Sequence, residues 1–280
     1  MSVAFRSAKV AHIRGAKGDY GTVVHRRFLT NLLSIFEINL QLSKTMSTTN
    51  RNTIVAWNSQ WLAPVTLLAK RSMLGADPGH GIDHVSRVVR NASEILLIES
   101  ADCRVVLPAA WLHDCVLVAK NSPTRSSASR LAADHAMNLL SEIDYPAVFM
   151  DAIHHAILAH SFSANVACES IEAMVVQDAD RLEALGAIGI ARCLMTTGHL
   201  QQNLYNIEEP FPVTRIADDR QFAVDHFFCK LLRLPNTMKT DSGKAIATAR
   251  LSIMQDFLRS LSEEIGCEKS LLEASLHKLR

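Results

Sequence analysis

The residues of this chain best suited to chemistry are His113 and Asp114, set side by side in an apolar run from Val105 to Val118. A carboxylate placed among apolar neighbours costs several kcal/mol, on the order of 3–5, unless a cation or hydrogen-bond donor compensates it. A divalent metal ion meets that need with few partners, because adjacent imidazole and carboxylate groups can reach one ion from a single turn. The pair alone is also compatible with an ordinary hydrogen-bonded core position, so further ligands must come from elsewhere in the chain. Three stretches offer them. His84 precedes Val85, Val88, Val89, Ala92, Ile95 and Leu96, whose spacing is one face of a helix. Asp180 falls in a strip of small side chains, Ala173, Val176, Ala184, Ala187 and Ala191, which leaves room for an ion and for neighbouring helices. Asp178 lies about 200° round the same helix and belongs to its bulkier face. Either aspartate could instead pair with an arginine.

The set His84, His113, Asp114 and Asp180 contains hard or borderline ligands and no thiolate. It favours an open site for Mn²⁺ first, with Mg²⁺, Co²⁺, Ni²⁺, Fe²⁺ or Zn²⁺ as alternatives, over a closed structural zinc. The loop after the His-Asp pair, Lys120 to Ser127, carries Lys120 and Arg125. Cations beside a metal suit phosphate oxygens, although a solvated loop would have the same composition. His154, His155 and His160 share a further helical segment, in which Ile153 and Ile157 mark the buried face and His160 continues it. His154 is the one assigned to solvent.

These side chains need helices to position them, and the sequence reads as helical from Ile54 onward. Amphipathic segments are expected at Trp57–Leu74, from His84 through Leu96, at Val105–Val118, Ser129–Leu140, Pro146–His160, Glu169–Thr197, Gln221–Leu234 and Gly243–Ile265, with a short helix between Cys267 and Arg280. Residues 198–220 are a polar connection punctuated by Gly198, Pro210 and Pro212. No repeat, strand-rich segment or glycine-rich phosphate loop interrupts the pattern. The first 50 residues are basic, with Arg6, Lys9, Arg14, Lys17, Arg26, Arg27 and Lys44 against Asp19 and Glu37. They read as a poorly ordered arm, as translated sequence upstream of Met46, or as an organelle transit peptide. The domain boundary is drawn there, with residues 51–280 as one helical unit.

Composition narrows the function classes. Apolar residues make up 48% of the 280 and aromatic residues only 6%, which suits helix-on-helix packing. A net charge of +1 argues against bulk electrostatic binding to nucleic acid or an anionic membrane. Six cysteines without a C-x-x-C pair read as reduced core thiols. A cytoplasmic location is expected, with organelle targeting as the alternative, and the oligomeric state stays open, a homodimer included.

The order His84, His113-Asp114, Asp180 resembles the H…HD…D signature of the HD-domain superfamily of metal-dependent phosphohydrolases. Residues Asp77 to Val85, Arg87-Val88, Ala159 to Ser163, Gln177 to Leu182, Ala184 to Gly189, Asp225 to Phe228 and Lys230 to Leu232 extend the resemblance over about residues 55–265. It implies an all-α HD-domain bundle with the metal site between core helices. It also implies hydrolysis of a phosphoester or phosphoanhydride, in a subgroup similar to proteins that cleave (deoxy)nucleoside triphosphates to monophosphate and pyrophosphate. The glutamate that follows the His-Asp pair in some of these enzymes is missing, since Cys115-Val116-Leu117-Val118 stands there. A single ion is expected, because His155 and His160 do not match the spacing of the two-metal class. The expected roles are metal binding by His84, His113, Asp114 and Asp180, and proton acceptance by Asp114 or Asp178 as a water attacks phosphorus. Lys120, Arg125, His155 and His160 are expected on the side of a small phosphorylated substrate, a nucleotide above all. The rival reading is an HD fold that senses a nucleotide without cleaving it.

Overall fold

The computed structural model describes residues 48–74, 81–116, 118, 127–161 and 164–279. The basic N-terminal segment, His80, Lys120 and Arg125 lie outside them. The described residues are all-α, with helices α1 (Thr48–Ser72), α2 (Ile82–Leu96), α3 (Cys103–Leu112), α4 (Ala128–Ser141), α5 (Met150–His160), α6 (Ile171–Arg181), α7 (Gly186–His199), α8 (Ala223–Cys229), α9 (Asp241–Glu264) and α10 (Lys269–His277). No helix among them is long and apolar enough to cross a membrane.

Helix α3 is the hub, packing against α1, α2, α5 and α6. Its composition requires that position: apart from Arg104, every residue from Cys103 to Leu112 is buried, Trp111 and Leu112 completely. The Asp102 carboxylate accepts the Arg104 N–H at 2.9 Å and caps its start. Helix α2 turns His84, Val85, Val88, Val89, Ala92, Ile95 and Leu96 onto that core, as the sequence spacing requires. Trp57 of α1 closes one end by donating its indole N–H to Tyr145 Oη at 2.8 Å, and the tyrosine donates in turn to the Arg104 carbonyl at 2.6 Å. All six cysteines are free thiols, and burial pushes those of Cys103 and Cys115 up to about 12.

Four elements depart from the sequence reading: the segment Gln221–Leu234 is α-helix only over Ala223–Cys229 and 3₁₀ from Leu231, and the other three depart for local reasons. The apolar run from Val105 does not continue as helix to Val118. Helix α3 ends at Leu112, and His113 and Asp114 form the turn that follows, closed by Cys115 N–H donating to the Leu112 carbonyl at 3.1 Å. Apolarity measured burial there rather than helix length. The stretch Glu169–Thr197 is two helices. After a 3₁₀ turn over Leu182–Ala184 the chain extends at Leu185, and Gly186 takes φ +69°, a left-handed conformation glycine accepts without a Cβ clash. The next helix starts so close to this turn that a Cβ on Gly189 would lie 2.3 Å from the Ala184 carbonyl oxygen. Finally, α1 begins at Thr48, inside the polar run the sequence assigned to the arm.

The break in the long helix is stitched by side chains from other elements. Asn91 donates to the Ala179 carbonyl at 2.9 Å and accepts from Arg250 at 2.7 Å, while Arg250 also donates to the Leu182 carbonyl at 2.7 Å. The polar connection after α7 is ordered in a similar way. Arg215 makes a two-pronged ion pair with the fully buried Asp225 at 2.5 and 2.6 Å, and the Glu209 carboxylate accepts the backbone N–H of Val213 at 2.6 Å. Asp225 of the sequence motif therefore anchors this connection to α8.

Candidate metal centre

Four elements deliver five side chains to one point: His84 from the first turn of α2, His113 and Asp114 from the turn after α3, His160 from the last turn of α5, and Asp180 from α6. His84 Nε2 lies 3.5 Å from Asp180 Oδ1 and 3.9 Å from Asp114 Oδ2. His113 Nε2 lies 3.7 Å from Asp114 Oδ2 and 3.9 Å from Asp180 Oδ1. His160 Nε2 approaches the other oxygen of Asp114, Oδ1, at 3.7 Å. The rings stand edge to face, with centroids 5.4 Å apart for His84 and His113 and 5.0 Å for His113 and His160. Two groups of donor atoms are close enough to share an ion: His84, His113 and Asp180, and His113, Asp114 and His160.

The fit to a metal rests on one atom. His113 is fully buried, and its Nδ1 is directed at the Ala110 carbonyl at 2.8 Å, so the ring proton belongs on Nδ1. That leaves the Nε2 lone pair aimed at the two carboxylates, and this buried atom has no hydrogen-bond partner. A buried acceptor surrounded by acceptors is costly unless a cation sits among them. His160 is fixed in the same way, with Nδ1 2.5 Å from the Ile157 carbonyl and Nε2 toward the cluster.

The electrostatics agree with a cation-binding cluster. Burial works against charge on both aspartates, yet His113, His160 and His84 hold the Asp114 carboxyl well below the usual range and lower that of Asp180 as well. Burial likewise depresses the His113 imidazole, with Asp114 and Asp180 opposing, which keeps it neutral and able to ligate. For His160 the pull of Asp114 outweighs burial and raises it.

Glu183 is a participant the sequence reading missed. It is 3% exposed, and its Oε2 accepts from Arg87 Nε at 2.7 Å and from Arg192 Nη1 at 3.4 Å, while lying 3.4 Å from His84 Nδ1. Arg192 Nη1 is also 2.7 Å from His84 Nδ1. With Arg192 donating to it, His84 Nδ1 is an acceptor in this arrangement. A cation at Nε2 would need the His84 proton on Nδ1, with Arg192 withdrawn onto Glu183 and the Glu183 carboxylate accepting that proton. The signal was available as a carboxylate three residues beyond Asp180, obscured because the helix was read as continuous there. Glu183→Gln is expected to weaken divalent-ion binding by about ten- to a hundredfold, read by calorimetric titration. An unchanged affinity would remove Glu183 from the site.

Two sequence-nominated residues lie elsewhere. Asp178 is turned into the core at the start of α9, where it accepts the Lys239 N–H at 2.9 Å, the Thr240 N–H at 2.8 Å and the Thr240 hydroxyl at 2.8 Å. Its place as a proton acceptor is therefore corrected: every oxygen it presents is already bonded, and burial pushes its carboxyl up despite those bonds. His155 accepts the Glu169 N–H at 3.1 Å on a part of α5 away from the cluster. His154, assigned to solvent, pairs with Asp134 at 2.8 Å.

A cavity of about 720 Å³ opens over the cluster. His84, Asp114, His160 and Asp180 line it, and so do Arg192, Lys230 and Arg233. A helical bundle holding a cluster of three histidines and two aspartates beside a cationic cavity is the architecture of a metal-site fold. The comparisons agree: a model of the HD domain matches residues 81–185, and the chain belongs to the HD-domain superfamily. The Bacillus subtilis protein YpgQ is 37% identical over 198 residues, which are 67% of this chain and 85% of YpgQ. The crystal structure of YpgQ in complex with ADP aligns with TM-score 0.57 and 34% identity, covering 72% of this chain and 93% of that one. An HD-superfamily hydrolase from Bacillus thuringiensis aligns with TM-score 0.60 and 27% identity, covering 75% of this chain and all of its own, 100%.

Proposed function

We propose that the protein is a divalent-metal-dependent phosphohydrolase that converts a (deoxy)nucleoside triphosphate and water to the monophosphate and pyrophosphate. The observation that carries the reading is the partnerless Nε2 of buried His113, aimed at Asp114 and Asp180 at the base of a cavity that also holds arginine and lysine side chains. The hydrolase names among its structural relatives and the ADP complex of YpgQ support it.

His84, His113, Asp114 and Asp180 would hold the ion. When bound, a divalent ion neutralises phosphoryl charge and makes water a better nucleophile near neutral pH. Asp114 has two duties that its two oxygens divide. Oδ2 faces His84 and His113, whereas Oδ1 faces His160 and is the atom placed to accept a hydrogen bond from the attacking water. With Asp178 bonded elsewhere, Asp114 is the one of these two carboxylates at the cluster, and its depressed carboxyl suits orienting the water by a hydrogen bond rather than keeping the proton. His160 keeps its Nδ1 on Ile157 and offers Nε2 to an oxygen of the phosphoryl group as charge builds on it.

The test is a Mn²⁺-supplemented screen of nucleotides and phosphomonoesters on the purified chain, with phosphate and pyrophosphate read separately and bound metal measured in parallel. Pyrophosphate release from triphosphates, lost on chelation and restored by metal, is the expected result. Bound metal with nucleotide binding but no hydrolysis would replace the enzyme with a sensor, and no bound metal would remove the reading entirely.

A further inference from the structure

The Lys230 motif that follows α8 has no role in the chemistry above, and its local structure gives it one. The chain leaves α8 at Lys230 and winds as a 3₁₀ helix over Leu231–Thr237. Leu231, Leu232, Leu234 and Pro235 are buried and pin this turn to the core, whereas Lys230, just before it, and Arg233 are exposed, and both line the cavity over the metal cluster.

The other cations of the cavity are already engaged. Arg181 donates to the Thr237 carbonyl at 2.6 Å, and Arg192 lies against His84 and Glu183. Asp219, the acid on the same wall, is paired with His226 at 2.9 Å. Among the described residues Lys230 has no ion-pair partner for its ammonium group. Arg233 is fixed through Nε to the Phe228 carbonyl at 3.1 Å, which holds the guanidinium in place and leaves its terminal nitrogens for a ligand. A cavity of about 720 Å³ is also far larger than one phosphoryl group requires and falls in the range, roughly 300–1,000 Å³, that accommodates small organic ligands.

We propose that Lys230 and Arg233 form a phosphate subsite that holds the part of a polyphosphate chain extending beyond the reacting phosphorus. This rests on the hydrolase reading and deepens it: the two residues select an anhydride chain over a phosphomonoester. A fixed guanidinium takes two oxygens of one phosphate, and a mobile ammonium follows the next as a point charge.

The experiment is a calorimetric titration of the full chain in excess Mg²⁺ with inorganic tripolyphosphate and, separately, with orthophosphate. The same titrations are run on the K230A/R233A double variant, on K230E, and on an R259A/K269A variant with the same charge change on a distant surface. Both target residues are exposed, so folding is not at stake. Tripolyphosphate affinity should fall about tenfold or more in the first two variants, with orthophosphate binding and the R259A/K269A variant within about twofold of the original protein. Equal tripolyphosphate affinity in K230A/R233A, or an equal loss in R259A/K269A, overturns the subsite. If tripolyphosphate binding depends on these residues while no nucleotide is hydrolysed in the screen, the subsite stands and the hydrolase reading falls.

Discussion

Asp114→Ala is expected to reduce turnover at least about a thousandfold, equivalent to roughly 4 kcal/mol of barrier, while leaving the helical circular dichroism and the unfolding temperature close to their original values. The reason is geometric. Asp114 is the one residue whose two oxygens serve both sides of the cluster, with His84 and His113 on Oδ2 and His160 on Oδ1. Removing it takes away a ligand and the acceptor for the attacking water together. Little stability should be lost, because Asp114 lies in a turn beyond the end of α3, its side chain is 30% exposed to the cavity, and it caps no helix. Bound metal should fall in parallel with activity. Retained hydrolysis in this variant would show that the reaction runs without the cluster.

Asp178→Ala should behave in the opposite way. Its side chain is completely buried and accepts three donors from the start of α9, including both the backbone and the hydroxyl of Thr240. Thr240 in turn caps α9 by accepting the Gly243 N–H at 3.0 Å. The space is closed: a Cβ on Gly243 would lie 2.6 Å from Asp178 Oδ2. Deleting the carboxylate leaves these donors unsatisfied and opens a small polar void, at a cost of about 3–5 kcal/mol. Thermal unfolding should move down on the order of 10 °C. At a temperature where the variant is still folded, its turnover should stay within severalfold of the original, since no atom of Asp178 contacts the cluster. A variant of normal stability that has lost activity would restore Asp178 to the chemistry. Asp114 and Asp178 thus separate a loss of catalysis from a loss of fold.

Much of the helical framework is legible in the amino-acid order because burial repeats with the helix period. The run from His84 to Leu96 names its own buried face, and α2 turns that face to the core. The wide angle between Asp178 and Asp180 on one helix is also a property of the sequence, and it is what sends one carboxylate toward α9 and the other toward His84. Elsewhere, periodicity was a poor guide to where elements stop. Val105–Val118 is apolar because it crosses the centre of the molecule, and the helix within it ends at Leu112. Glu169–Thr197 carries a helical pattern on both sides of the break at Gly186, because both halves pack in the same core and a pattern of burial does not register a change of axis.

Residue types and spacing by themselves determined an all-α chain, the faces its helices bury, and a short set of imidazoles and carboxylates suited to a hard divalent ion. Only the tertiary structure decided which of them meet. It brought His160 to the far oxygen of Asp114 and placed Glu183 behind His84. It bonded Asp178 to the start of α9 and set Lys230 and Arg233 on the wall of the same cavity. The physical reason is that a helix fixes directions only along its own axis. Contacts between side chains a hundred residues apart depend on how the axes cross, and here the close approach at Gly186 and Gly189 and the side-chain bonds of Asn91 and Arg250 govern the crossing.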